Sequence, residues 1–155
     1  LLDESDAQAR DAQYWRIYHA LFREGGWPPL DVEETLSVLA FLRDKTLSVR
    51  EQAWLWKLMV LGTCAEPVRD YALACLGNRD QHSYLRGLAL LLLRKHAPQL
   101  VPELIARYAQ DASPHLRYQI ASTVTDSAQR RAMMEKILPD VEDHELYDAI
   151  QLELT

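Results

Sequence analysis

Apolar residues recur at helical spacing along most of the chain, and this pattern predicts an all-α fold. Val32, Leu36 and Leu39 share one helix face, followed after a turn by residues 48–61, which are apolar on two faces. A helix that is apolar on two faces is typical of one packed on two sides. Gly62 and Pro98 are among the residues that break the pattern. We predict about nine helices of roughly 10–15 residues joined by short turns, and no strand.

A sequence motif of about ten residues occurs three times, and each copy coincides with the predicted start of a helix. In each copy an Asp stands six residues before an Arg, with a Ser between them. The three Asp and Arg pairs are Asp44 with Arg50, Asp80 with Arg86, and Asp111 with Arg117. Because a turn carboxylate can cap a helix and bind an arginine, we assign these six residues to a structural ladder. The Arg residues are 36 and then 31 residues apart, a period typical of stacked helix pairs.

This repeat resembles the HEAT family, including its short bacterial members, over roughly residues 30–150. The resemblance implies a right-handed α-solenoid of about four to five antiparallel helix pairs, with an Asp and Arg ladder between neighbours. The pattern departs at both ends, since Arg10 precedes Arg16 by six residues and Val141 precedes Tyr147 by six. We therefore predict one α-solenoid domain over residues 1–155. The chain begins at Leu1 rather than Met, so a fragment of a longer chain stays open.

HEAT-like arrays mostly serve as binding surfaces, and the resemblance places the second helix of each pair on the concave side. It implies a non-catalytic scaffold or adaptor that binds another protein there. Charged residues of the predicted second helices become the candidate partner-binding set. They are Glu34, Arg69, Glu103, Arg107 and Arg131.

The charge distribution leaves two further functions open. Residues 1–34 carry eight acids and three bases, residues 35–139 nine acids and 14 bases, and residues 140–155 six acids and no base. The acidic ends suit a bacterial immunity or antitoxin-like inhibitor that masks a basic toxin. The basic middle permits a HEAT-like nucleic-acid-binding or DNA-repair protein, although the net charge of −6 disfavours a polyanionic partner. A HEAT-like enzyme is a third class, for which we can name no residue.

Motifs for catalysis, metals and cofactors are missing from the sequence. There is no His-Glu-x-x-His pair, no phosphate-binding glycine loop and no Gly-x-Ser-x-Gly elbow. His144-Glu145 resembles the His-Glu pair of iron-binding HEAT-like hydroxylases, which need several such pairs. We predict no metal, no cofactor and no catalytic residue. Cys64 and Cys75 are predicted to be buried free thiols in a reducing, cytoplasmic location, and no apolar run is long enough for a membrane span.

Overall fold

A computed structural model describes residues 30–155 of the chain, and these residues fall into two compact units, residues 30–71 and residues 72–155. Residues 30–155 form eight α-helices and two short 3-10 helices, and none of these residues lies in a strand. The all-α prediction is confirmed for residues 30–155. The helix predicted over residues 13–23 lies outside the described residues. The prediction of one domain over residues 1–155 stays a prediction.

The helices follow one another through short connections. In the first unit they are α1 (Val32–Asp44) and α2 (Val49–Leu61), and α3 (Glu66–Gly77) contains the boundary. In the second unit they are α4 (Ser83–His96), α5 (Val101–Tyr108), α6 (Pro114–Ala121), α7 (Ser127–Ile137) and α8 (His144–Leu154). Short 3-10 helices at Pro98–Leu100 and Leu138–Asp140 precede α5 and follow α7.

In the first unit, α1 packs against α2. Phe41, which lies off the main apolar stripe of α1, is buried. Trp56 is almost fully buried, and its ring stacks on that of Tyr71 with centroids 5.6 Å apart. Phe41 and Trp56 therefore contribute to a core rather than to an exposed face.

Both α1 and α2 begin with a capping box. The side chain of Asp31 accepts from the backbone N–H of Glu34, and Glu34 in return accepts from the N–H of Asp31. Ser48 and Glu51 repeat this exchange at the start of α2. Each box satisfies two backbone N–H groups that a helix leaves without internal partners. The sequence therefore fixes where both helices begin.

We expect Ser48→Ala to lower the free energy of unfolding by about 1 kcal/mol, because the substitution removes this cap. Ser37→Ala is the matched control. Ser37 is exposed within α1 and donates to the carbonyl of Glu33, where alanine is the better helix former. Urea unfolding of the two variants measures the difference. Equal stabilities would contradict the capping role of Ser48.

In the second unit, α4 packs against α6, α6 against α7, and α7 against α8. The last three helices share an apolar cluster. It contains Ala121, Met134, Ile137, Leu146 and Ile150. The middle of α4 is buried nearly throughout, from Leu85 to Leu90. This packing brings the N-terminal ends of α4 and α6, and the start of α8, within reach of one another, and that region carries the candidate site.

Candidate binding cleft in the second unit

A buried ion pair joins the start of α4 to the turn before α6. The guanidinium of Arg86 donates to both carboxylate oxygens of Asp111, at 2.8 and 2.9 Å, and the two side chains are each 4% exposed. Nε and Nη2 of Arg86 also donate to the carbonyl of Leu76. Burial raises the pKa of Asp111, but the bonds from Arg86 and Ser113 outweigh it and hold that pKa below 3.8. Asp111 is therefore a charged, fully engaged structural group.

Arg117 makes a more exposed ion pair. It donates to Asp140 at 2.8 Å, and the arginine side chain is 18% exposed while that of Asp140 is 58% exposed. Its Nε is buried and has no hydrogen-bond partner among residues 30–155. Asp140 immediately precedes Val141, the residue that stands at the Asp position of the repeat pattern near the end of the chain.

The other predicted ladder residues lie on the surface. Asp44 is the last residue of α1 and contacts its neighbour Arg43 at 3.4 Å. Asp80 accepts no cap bond, since the side chain of His82 caps α4 instead. Arg50 is exposed near the start of α2. The ladder as a repeating device stays a prediction, with Arg86 and Asp111 as its one buried pair among the described residues.

A chain of polar side chains runs across the starts of α4, α6 and α8. Oγ of Ser113 accepts from the N–H of Leu116 and lies 2.5 Å from Oγ of Ser83. Ser83 Oγ is in turn 3.0 Å from Nδ1 of His115, and Nε2 of His115 is 3.0 Å from Oδ2 of Asp143. We assign the histidine proton to Nε2, since the carboxylate needs a donor there, and Nδ1 then accepts from Ser83. Every member of the chain is thereby paired.

The charges of His115 and Asp143 depend on their surroundings. Burial lowers the pKa of His115 below 6.5, although Asp143 raises it and His82 lowers it further. Burial raises the pKa of Asp143, but two backbone N–H groups and His115 more than offset this, so the pKa lies below 3.8. At neutral pH the histidine is therefore uncharged and the carboxylate is ionised. Both depressed pKa values make the arrangement less stable as the pH falls.

Beside this chain of polar groups lies an open cleft of about 160 Å³. Its lining comes from α4, α6 and the start of α8. The lining residues are Tyr84, Gly87, Leu88, His115, Tyr118, Gln119, Asp143, Glu145 and Leu146. Gly87 permits the close approach of α6, because a Cβ there would lie 3.2 Å from that of His115. The rings of Tyr84 and His115 meet edge to face with centroids 5.3 Å apart.

Ser83, His115 and Asp143 are the residue types of a hydrolytic triad, but their arrangement suits packing better. A nucleophile needs its hydroxyl aimed at the space where substrate binds. Ser83 is not among the residues that line the cleft, and its hydroxyl oxygen lies between Ser113 and His115. His115 and Asp143 line the cleft. Ser83 orients the imidazole of His115 by a hydrogen bond and is itself bonded to Ser113.

Two of the predicted partner-binding residues belong to residues 30–71. Glu34 serves in the capping box of α1. Arg69 lies 3.6 Å from Glu66 and 3.7 Å from Asp70, both on its own helix α3. These contacts are local, and nothing about them assigns a partner.

The other three predicted partner-binding residues lie on α5 and α7. Glu103 and Arg107 are exposed and 3.8 Å apart, one turn from each other on α5. Arg131 contacts Glu135 at 3.3 Å and donates to the carbonyl of Leu154. None of the three lines the cleft. Their role in binding stays a prediction.

Metal and thiol chemistry find little support in the described part of the chain. Residues 30–155 contain no group of three or more His, Cys, Asp or Glu residues placed to hold a metal ion. Both cysteines are free thiols, and Cys75 is buried as predicted, but the prediction is wrong for Cys64, which is only half-buried. Burial raises the pKa of Cys64, and it raises that of Cys75 to about 11, which leaves both thiols protonated and weakly nucleophilic. None of the helices described combines the length and apolarity that a membrane crossing requires.

Comparison of the chain with protein-family models, with curated proteins and with solved structures found no match.

Proposed function

We propose that the chain is a non-catalytic protein-interaction module of the HEAT-like α-solenoid type, and that its partner docks at the cleft of the second unit. The observation that carries the proposal is a concave, partly aromatic surface whose polar side chains are oriented by buried hydrogen bonds. Pre-oriented polar groups among apolar walls are typical of binding sites. Holding them before the partner arrives reduces the ordering cost of binding.

The solenoid part of the proposal draws on the contacts of α4. This helix packs on α6, the helix two further along the chain, as first helices of successive pairs do in a stack. A copy of the repeated motif lies at the start of each of these two helices. The bidentate bond between Arg86 and Asp111 fits a device that sets the register between two neighbouring pairs.

A protein partner is favoured over nucleic acid by the charges of the second unit. Exposed arginines that could meet phosphates are close to acids: Arg107 to Glu103, Arg131 to Glu135, and Arg130 to Glu153. The cleft itself carries carboxylates, which repel a polyanion. The same carboxylates favour, as a second candidate, the inhibition of a basic toxin by charge complementarity.

A peptide-display selection on the purified chain tests the proposal. We expect selected peptides to bind the wild type and to lose at least tenfold in affinity on Tyr118→Ala, since this ring lines the cleft. Tyr147→Ala is the matched control, because Tyr147 is 41% exposed on α8 and is not a lining residue. Fluorescence anisotropy measures both affinities, and circular dichroism confirms that both variants are folded.

Three results would overturn the proposal. One is equal loss of affinity in both tyrosine variants, and another is tight binding of random duplex DNA in a gel-shift assay. The third is labelling of Ser83 by a fluorophosphonate probe, with labelling absent in Ser83→Ala, since it would indicate a reactive hydroxyl.

A further inference from the structure

The cleft is negatively charged at the start of α8. Oδ1 of Asp143 accepts from the N–H groups of Glu145 and Leu146, and Oδ2 accepts from His115. A carboxylate offers about four acceptor sites, so Oδ2 keeps one for an incoming donor. The Asp143 side chain is 39% exposed, and Glu145 adds a second exposed carboxylate to the lining.

The cleft offers these carboxylates no cation of its own, because no Lys or Arg is among the lining residues. Arg94, which bonds the lining residue Gln119 at 2.8 Å, is occupied there. Arg117 is bonded to Asp140. The neutral form of His115 adds no positive charge at pH 7. Within residues 72–155 the cleft is therefore acidic, with acceptor capacity that its own side chains do not use.

Aromatic groups form much of the remaining wall. Three of the lining residues, Tyr84, His115 and Tyr118, carry rings, and Leu88 and Leu146 also belong to the lining. A planar guanidinium stacks on such rings and forms charge-assisted bonds to carboxylates at the same time, whereas an ammonium is a more strongly hydrated point charge. The combination of rings and carboxylates thus favours arginine over lysine.

The size of the cleft agrees with such an occupant. Its volume is about 160 Å³. An apolar cavity of about 150 Å³ holds benzene, which has six heavy atoms. A guanidinium with two methylene groups also has about six heavy atoms. The cleft therefore accommodates the end of one arginine side chain.

We infer that this cleft binds the guanidinium of an arginine presented by a partner protein, with Asp143 and Glu145 as acceptors and Tyr84 and Tyr118 as stacking surfaces. The inference rests on the proposed function and names the chemistry of its partner.

Two small probes test it on the purified chain: acetyl-arginine methylamide and its uncharged citrulline analogue. We expect the arginine probe to shift the backbone amide resonances of Tyr84, Gly87 and Glu145 in a saturable manner. The citrulline probe keeps the shape but loses the charge, and we expect it to bind at least fivefold more weakly.

Glu145→Gln should weaken binding of the arginine probe about two- to fivefold, as expected for an exposed ion pair. Glu142→Gln removes the same charge just before α8 from a residue that does not line the cleft, and should leave the affinity within about 1.5-fold. Tyr118→Leu, which retains an apolar side chain, should also weaken binding.

Equal binding of the citrulline probe, or equal effects of Glu142→Gln and Glu145→Gln, would overturn the inference. So would shifts that never saturate or that fall outside the cleft. Display peptides without arginine that still depend on Tyr118 would refute the arginine assignment and leave the proposed function standing. Failure of every peptide to depend on Tyr118 would refute the proposed function itself.

Discussion

Arg86→Ala is expected to lower the free energy of unfolding by about 3–5 kcal/mol, the largest effect of any single charge in residues 30–155. The substitution strands the carboxylate of Asp111, whose side chain is 4% exposed, without its cation. It also removes both donors to the carbonyl of Leu76. A buried acceptor that loses its donor keeps the full penalty of desolvation. Guanidinium chloride unfolding followed by circular dichroism measures the loss.

Arg107→Ala is the matched control, because Arg107 is 64% exposed and lies 3.8 Å from Glu103. A surface pair of this kind contributes less than about 1 kcal/mol, so this variant should unfold close to the wild type. If Arg107→Ala were the more destabilising variant, the assignment of Arg86 to a structural role and of Arg107 to the solvated surface would be wrong.

The double variant Arg86→Met with Asp111→Leu separates the two contributions of the pair. Replacing both charges by apolar groups of similar size is often close to neutral, whereas removing one partner is not. We expect the double variant to recover more than half of the stability lost in Arg86→Ala. A double variant as unstable as the single one would mean that the bonds from Arg86 to Leu76 dominate.

The sequence predicted the helices of residues 30–155 well, because their signals are local. Asp31 and Ser48 precede apolar stripes and are followed three residues later by Glu, which is the pattern of a capping box. The repeated motif predicts a structural role for Arg86 and Asp111, and the two side chains lie buried in contact with each other. These assignments needed only spacing along one helix or between copies of one turn.

The cleft could not be predicted in the same way, because its residues come from three turns separated by about 30 residues each. Ser83 and Ser113 are the serines of the second and third copies of the repeated motif, but their mutual contact depends on how α4 packs against α6. His115 follows Ser113 by two residues, and Asp143 is one of the six acids of residues 140–155. The sequence offers only a weaker signal, a serine between the Asp and the Arg of each copy, which stands two, three and then four residues before the Arg. Because this position shifts from copy to copy, it does not predict which hydroxyl groups meet.

The charged residues predicted to bind a partner show what the sequence pattern alone does not predict. The HEAT resemblance places Glu103 and Arg107 on the concave side as charged residues of a second helix, and the structure shows them exposed. Exposure on a repeat, however, does not distinguish a contact surface from a solvated one. Concavity is a property of several helices together, and it is the concave surface of α4, α6 and α8 that carries oriented polar groups.

Leu116→Ala is expected to lower the free energy of unfolding by about 2–5 kcal/mol. Leu116 is fully buried on α6, a helix of eight residues that packs against both α4 and α7. Its removal leaves a cavity that helices on two sides have to share. Helix α6 also carries the lining residues His115, Tyr118 and Gln119. The same variant should therefore weaken the binding of any ligand in the cleft, although it changes no lining residue.

Leu152→Ala makes the same chemical change on α8, where the side chain is 77% exposed. Little apolar surface returns to water there, so the two variants should differ by at least 2 kcal/mol in urea unfolding. Equal stabilities would place Leu116 outside the core and would remove the packing that positions α6. Since His115 reaches Ser83 and Asp143 only from a correctly seated α6, the cleft would then lose its geometric basis as well.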